Sequence, residues 1–169
     1  EAGRTWRIGF SGDLGRANAP ILRDPELVTD LDYLIVESTY GDRDHPAFEQ
    51  AAQELARIVR ETVTRGGKVI IPAFAVGRTQ ELLYFLHQQI GTGEIPRVPI
   101  FVDSPLAIDA TDVFRLHLEC FDDEMRRLLL VHDDPFGFGE LKYTRTVEES
   151  RALNDWNAPA IIIAASGMC

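Results

Sequence analysis

Cysteine is nearly missing from this sequence: Cys120 and Cys169 are the two among 169 residues. They lie far apart, outside any CxxC or Cys/His spacing, so neither a zinc knuckle nor a disulfide framework is implied. Such usage fits reducing, intracellular conditions, and a cytoplasmic protein is expected. Long hydrophobic runs are absent too, and no segment reaches the ~20 apolar residues of a membrane span. No signal peptide opens the chain. Positive charge is in deficit: 17 Lys and Arg stand against 27 Asp and Glu, for a net charge of −10. That balance argues against wholesale nucleic-acid binding, which needs basic surface to displace phosphate counterions. It leaves room for a local basic cleft or a basic partner domain. Internal repeats and low-complexity tracts are lacking. So are the GxxxxGK[ST] phosphate loop and the GxSxG elbow. Ser104 and Ser166 have no adjacent His-Asp arrangement, which speaks against a serine nucleophile.

What is present is an ordinary globular composition, 45% hydrophobic and 26% charged, at a length that suggests one domain with a real core. Residues 6–10 and 32–37 read as strands, the second apolar through its middle and therefore expected to be buried on both faces. Residues 47–64 carry helical apolar spacing behind Pro46 and end at Gly66-Gly67. Strands are predicted at 68–71, 98–102 and 161–164. Helices are predicted at 79–89, 106–118, 122–130 and 146–154, the last opened by a capping box of Thr146 and Glu149. Residues 133–139 read as loop. Such alternation implies a Rossmann-like parallel sheet flanked by helices on both faces. The two strands before residue 44 lack a helix between them, which places a seam near 44–46. The chain starts at Glu1, close to a strand, and stops just past an apolar strand, so a piece of a longer protein is expected.

In an open parallel sheet, ligands meet the loops beyond the carboxyl ends of the strands. Here those loops begin at Ser11, Glu37, Ala73, Asp103 and Ser166. Asp13 is either a turn residue bonding its own backbone or a carboxylate metal ligand. Glu37 ends an apolar strand and needs a partner; it caps, pairs with an arginine, or orients a catalytic histidine. The loop leading to Gly77, Arg78 and Thr79 opens a helix. Free N–H groups there, with Arg78 as a fork, would favour a phosphate. The bland alternative pairs Arg78 with Glu81. Asp42, Asp44 and His45 crowd one loop, while His87, His117 and His132 read as surface or packing residues.

Several strings, taken in order, resemble one family. They are Phe10-Ser11-Gly12-Asp13-Leu14-Gly15, Glu37-Ser38-Thr39-Tyr40-Gly41-Asp42-Arg43, residues 72–83 (PAFAVGRTQELL), Asp103-Ser104-Pro105-Leu106-Ala107 and Ala165-Ser166-Gly167-Met168-Cys169. All occur in the β-CASP nucleases of the metallo-β-lactamase fold. The nearest branch resembles the RNA-processing one, which includes the endonuclease subunit of the cleavage and polyadenylation specificity factor and its prokaryotic relatives.

The resemblance implies an α/β architecture in which residues 1–45 are a strand-rich piece of the metallo-β-lactamase domain and residues 46–169 a β-CASP domain truncated at its C-terminal end. It implies Asp13 as a carboxylate bridging two zinc ions, and Glu37 as the acidic residue bonding a histidine that protonates the leaving oxygen. Arg78, Gly77, Thr79, Ser104 and Ser166 would face RNA phosphates. The implied partners are single-stranded RNA and the missing metallo-β-lactamase half, with no membrane and with homo-oligomerisation left open. The HxHxDH string that supplies most zinc ligands is absent. One carboxylate cannot hold two zinc ions, so the chain alone is expected to bind none and to be inactive. Two alternatives stay open: a non-catalytic RNA-processing subunit of the same fold, and a stand-alone mononucleotide-binding module.

Overall fold

Residues 47–64 repeat apolar side chains at helical spacing, and that stripe needs a surface to cover. In the structure, a computed structural model describing residue 3 and residues 5–165, helix α1 (Phe48–Thr64) buries Ala56 and Val59. Its outer face holds Arg57 against Glu54 and Glu61 at 2.6 and 2.8 Å. Exposed pairs of this spacing contribute only a few tenths of a kcal/mol each. The helix ends where Gly66 turns left-handed (φ 77°) and donates its N–H to the Val63 carbonyl at 2.8 Å, the glycine stop expected from the sequence.

The described residues contain two sheets. Strands β1 (Ile8–Phe10) and β2 (Tyr33–Ile35) form a parallel pair. Strands β3 (Lys68–Pro72), β4 (Ile100–Asp103), β5 (Leu141–Tyr143) and β6 (Ala160–Ala164) form a second, all-parallel sheet in the order β3-β6-β4-β5. Between them run α2 (Arg78–Gly91), α3 (Pro105–Leu116), α4 (Asp123–Leu130) and α5 (Val147–Ala152). The β3-to-β4 connection through α2 crosses the sheet in one direction, and the β5-to-β6 connection through α5 comes back. Right-handed crossovers of opposite direction put their helices on opposite faces. The core divides accordingly. Leu83, Leu86, Ile100, Val102, Ile161 and Ile163 pack with α1 to α4 in one cluster, and Phe101, Ile162 and Leu153 in another. The flanked parallel sheet read from the alternation is therefore present. Strand β6 is buried at all five positions, as a run of three isoleucines covered on both faces requires.

Two expectations need correction. Residues 141–143, to which the sequence reading assigns no element, form edge strand β5 beside β4. Strand β2 is not buried on both faces: Tyr33, Leu34 and Ile35 are 55, 59 and 58% exposed. Among the described residues its one neighbour strand is β1, and no layer covers its apolar side chains there. The segment ahead of the seam also packs onto the larger body. Residues 21–23 run antiparallel to 120–122 through the Leu22–Phe121 bridge. Ile21 is 1% exposed and sits in the main core. It holds φ at 79°, a strained value for a β-branched residue, kept because the side chain is locked in place.

Candidate functional site

A parallel sheet gathers the carboxyl ends of its strands on one edge. Here that edge carries residues 73–77 after β3, Ser104 after β4 and Thr144 after β5. The first loop is organised by a buried side chain. Gln80, 0% exposed, accepts from the Gly77 N–H through Oε1 at 2.7 Å. Its Nε2 donates to the Ala75 carbonyl at 3.1 Å and to Thr111 Oγ1 at 2.8 Å. Thr111 in turn donates to the Ala107 carbonyl at 2.8 Å. One carboxamide thus ties the loop, the start of α2 and helix α3 together. Gly77 takes φ 82°, where glycine carries no Cβ penalty.

The backbone donors on which the phosphate-loop expectation relies have partners within the loop. The Gly77 amide is given to Gln80, the Arg78 amide to the Val76 carbonyl at 3.1 Å, and the Thr79 amide to the Phe74 carbonyl at 3.3 Å. The Thr79 hydroxyl also donates to Phe74 at 2.9 Å, and the residue is 1% exposed. Gly77 and Thr79 therefore shape the loop and have their donors committed within it. Ser104 is buried and caps α3 by accepting from the Ala107 N–H at 3.2 Å. Ser166 lies outside the described residues. Arg78 alone of that set presents a charged head, its side chain 62% exposed and paired with Glu81 at 3.0 Å. The bland alternative for Arg78 is thus seen. Phe74 and Val76 stand exposed at the loop's tip.

At the smaller sheet, the Glu37 carboxylate accepts from the Thr39 N–H at 2.8 Å. Bonds from the Thr39 amide, the Thr39 hydroxyl and the Leu14 amide hold this carboxyl below its ordinary pKa. The Glu37 N–H donates to Ser11 Oγ at 3.0 Å, and the Ser11 N–H to the Ile35 carbonyl at 2.9 Å. Glu37 therefore binds both its own loop and the loop carrying exposed Asp13. Among the described residues no three His, Cys, Asp or Glu side chains come together closely enough to hold a metal ion. Asp42 is paired with Arg43 at 2.9 Å, and the His45 ring stands edge-on to Tyr40. His87 pairs with Asp133 at 2.8 Å, and His117 with Glu119 at 2.8 Å.

Two residues were missed from the sequence. Gln80 gives only a weak signal, a polar residue on the inward face of a predicted helix. Asp103 is 7% exposed and accepts from the Thr144 hydroxyl at 2.7 Å and the Ser150 hydroxyl at 2.9 Å. It ties β4 to the β5 loop and to α5. Its signal was present: a carboxylate ending an apolar strand must find donors.

The Beta-Casp domain family matches residues 79–169. Among similar proteins are ribonuclease TTHA0252 of Thermus thermophilus, 37% identical over 98% of this chain and 38% of its own length; transcription termination factor FttA of Methanocaldococcus jannaschii, 36% identical over 96% and 26%; and endoribonuclease YSH1 of Saccharomyces cerevisiae, 31% identical over 96% and 21%. The chain thus spans between about a fifth and two fifths of these curated relatives.

Proposed function

The chain belongs to the β-CASP family, and from that premise we propose that it is part of a metal-dependent ribonuclease that hydrolyses RNA phosphodiester bonds. Residues 1–45 contribute a strand pair and two loops of the metallo-β-lactamase half, and residues 46–169 the β-CASP body. Relatives bearing the names ribonuclease and endoribonuclease support the reading. The observation that carries it is Glu37, whose carboxylate accepts from the Thr39 amide at 2.8 Å and whose N–H donates to Ser11 Oγ at 3.0 Å, which fixes the loop that presents Asp13.

Asp13 takes one ligand position of a metal centre, with zinc as the proposed ion. A zinc ion takes about four ligands, and the described residues do not assemble such a set. The chain's own residues therefore do not fit a complete site, and the chain alone is expected to be inactive. Glu37, held ionised, keeps the Asp13 loop in register and offers its second oxygen to a donor from the remainder of the protein. Arg78 supplies the phosphate contact. Its bond to Glu81 is exposed and contributes at most ~1 kcal/mol, so a charge-assisted fork to a phosphate replaces it at little cost.

The test is cleavage of single-stranded RNA by the full-length protein with zinc. Asp13→Ala is expected to lower the rate at least ~100-fold. A variant as active as the unaltered protein would sink the Asp13 assignment.

A further inference from the structure

A large cavity lies away from the strand ends. It is an open trough of ≈ 1220 Å³ between residues 18–24, the first turns of α1, the outer face of α2 and the start of α4. Seven of its lining side chains are carboxylates, against one arginine, Arg23, and one histidine, His87. Helix dipoles account for part of this, since acids in the first turns of α1 and α4 are favoured there. They do not account for Asp24 or Asp133, and Glu94 follows the C-terminal end of α2, where the dipole opposes a negative charge. Asp24, Glu49, Glu94 and Glu124 make no ion pair with a described residue. The Tyr84 phenol in the wall donates to Glu124 at 2.7 Å. Burial first, then Glu124 and Asp122, push its pKa up.

Two further observations say what the trough would hold. Gln89 is 5% exposed and lies in the wall. Its Nε2 donates to the Ala52 carbonyl at 2.6 Å, which fixes the amide's orientation. Its Oε1 has no hydrogen-bond partner among the described residues, so the wall contains a buried acceptor in want of a donor. The trough's apolar strip, Phe48 and Phe85, already carries a guanidinium: Arg16 stacks over the Phe48 ring at 4.1 Å and donates to the Pro46 carbonyl at 3.1 Å. Cations on aromatic faces are attracted by the ring quadrupole.

We propose that this trough docks a basic polypeptide segment of a partner protein, one in which arginine or lysine alternates with apolar residues. Its cations would meet Asp24, Glu49 and Glu94, a donor would reach Gln89, and its apolar side chains would lie on Phe48 and Phe85. A second copy of this chain is a poor occupant, because it too carries a net charge of −10. RNA is repelled by the same carboxylates. The inference stands apart from the nuclease reading, since it uses none of Asp13, Glu37 or Arg78.

Fluorescence anisotropy of a labelled peptide of alternating arginine and leucine, titrated with the full-length protein, tests it. Competitors are spermidine, an alternating glutamate–leucine peptide and single-stranded RNA. Glu49→Gln with Glu94→Gln should weaken binding ~10-fold or more, as should Gln89→Met, while Glu61→Gln with Glu148→Gln, which removes the same charge elsewhere, should leave it unchanged. Circular dichroism verifies that each variant is folded. Equal weakening by both charge pairs would reduce the effect to net charge and overturn the proposal. So would displacement by spermidine at the peptide's own affinity, competition by RNA, or no binding at low salt.

Discussion

Replacing Gln80 by methionine isolates what holds the loop after β3. Methionine matches glutamine closely in length and helix propensity, so packing and helix formation change little. The carboxamide's bonds are lost. The Ala75 carbonyl and the Thr111 hydroxyl, both buried, lose the partner that Nε2 provides at 3.1 and 2.8 Å. The half-buried Gly77 N–H loses its acceptor at 2.7 Å. Thr111 keeps its bond to Ala107, which limits the damage there. A buried group left unpaired costs about 1–3 kcal/mol, so the sum is roughly 2–4 kcal/mol. For a domain of this size that is a fall in Tm of roughly 4–16 °C. Thermal unfolding followed by circular dichroism reads it, with the exposed Gln53→Met as the reference. Hydrogen exchange at the Gly77 amide should accelerate in parallel. A Tm loss no larger than that of Gln53→Met would refute the idea that one carboxamide organises the loop.

Ile21→Ala should cost about 2–4 kcal/mol in urea unfolding, because it empties a core position without relieving the left-handed backbone. A loss below ~1 kcal/mol would mean that residues 21–23 merely lie on the body. The folded pKa of Glu37 lies below its ordinary 4.5, so the contribution of its bonds is present above that value and is lost as the pH falls through the folded pKa. The Thr39 amide resonance should titrate with a midpoint below 4.5 and lose that titration in Glu37→Gln. A midpoint above the ordinary value would contradict the bonding seen here.

Much of the fold was legible because helix and strand periods alternate cleanly in residues 47–164. The capping box at Thr146 and Glu149 forms as read, and Gly66 ends α1. Strand β5 was not legible. Leu141, Lys142 and Tyr143 are too few to establish a period, and an edge strand tolerates the lysine that a central one would reject. The burial expected of β2 followed correctly from its apolar run, but a run cannot reveal how many neighbours a strand has. In the candidate site, Ser104 caps α3 ahead of Pro105, a role the sequence reading did not assign although serine before proline is a common helix start. The fate of the Gly77, Arg78 and Thr79 amides was not legible. It depends on Gln80 meeting Thr111, a contact across 31 positions that no local pattern encodes. The acidic trough was invisible for the same reason, since its carboxylates come from five separate stretches between Asp24 and Asp133.

The place of β6 has a consequence for how the chain is made. It is the last strand synthesised among the described residues, yet it lies between β3 and β4. Lys68 meets its partner Ala160 only after 92 further residues, roughly 5–18 s of translation at ~5–20 residues per second. During that interval β3 has no native neighbour among the described residues, and the gap beside β4 stays open. A nascent chain in this state exposes apolar strand edges that invite pairing with other chains. The closing strand is the most apolar of all, three consecutive isoleucines, so the sheet completes in a single late insertion.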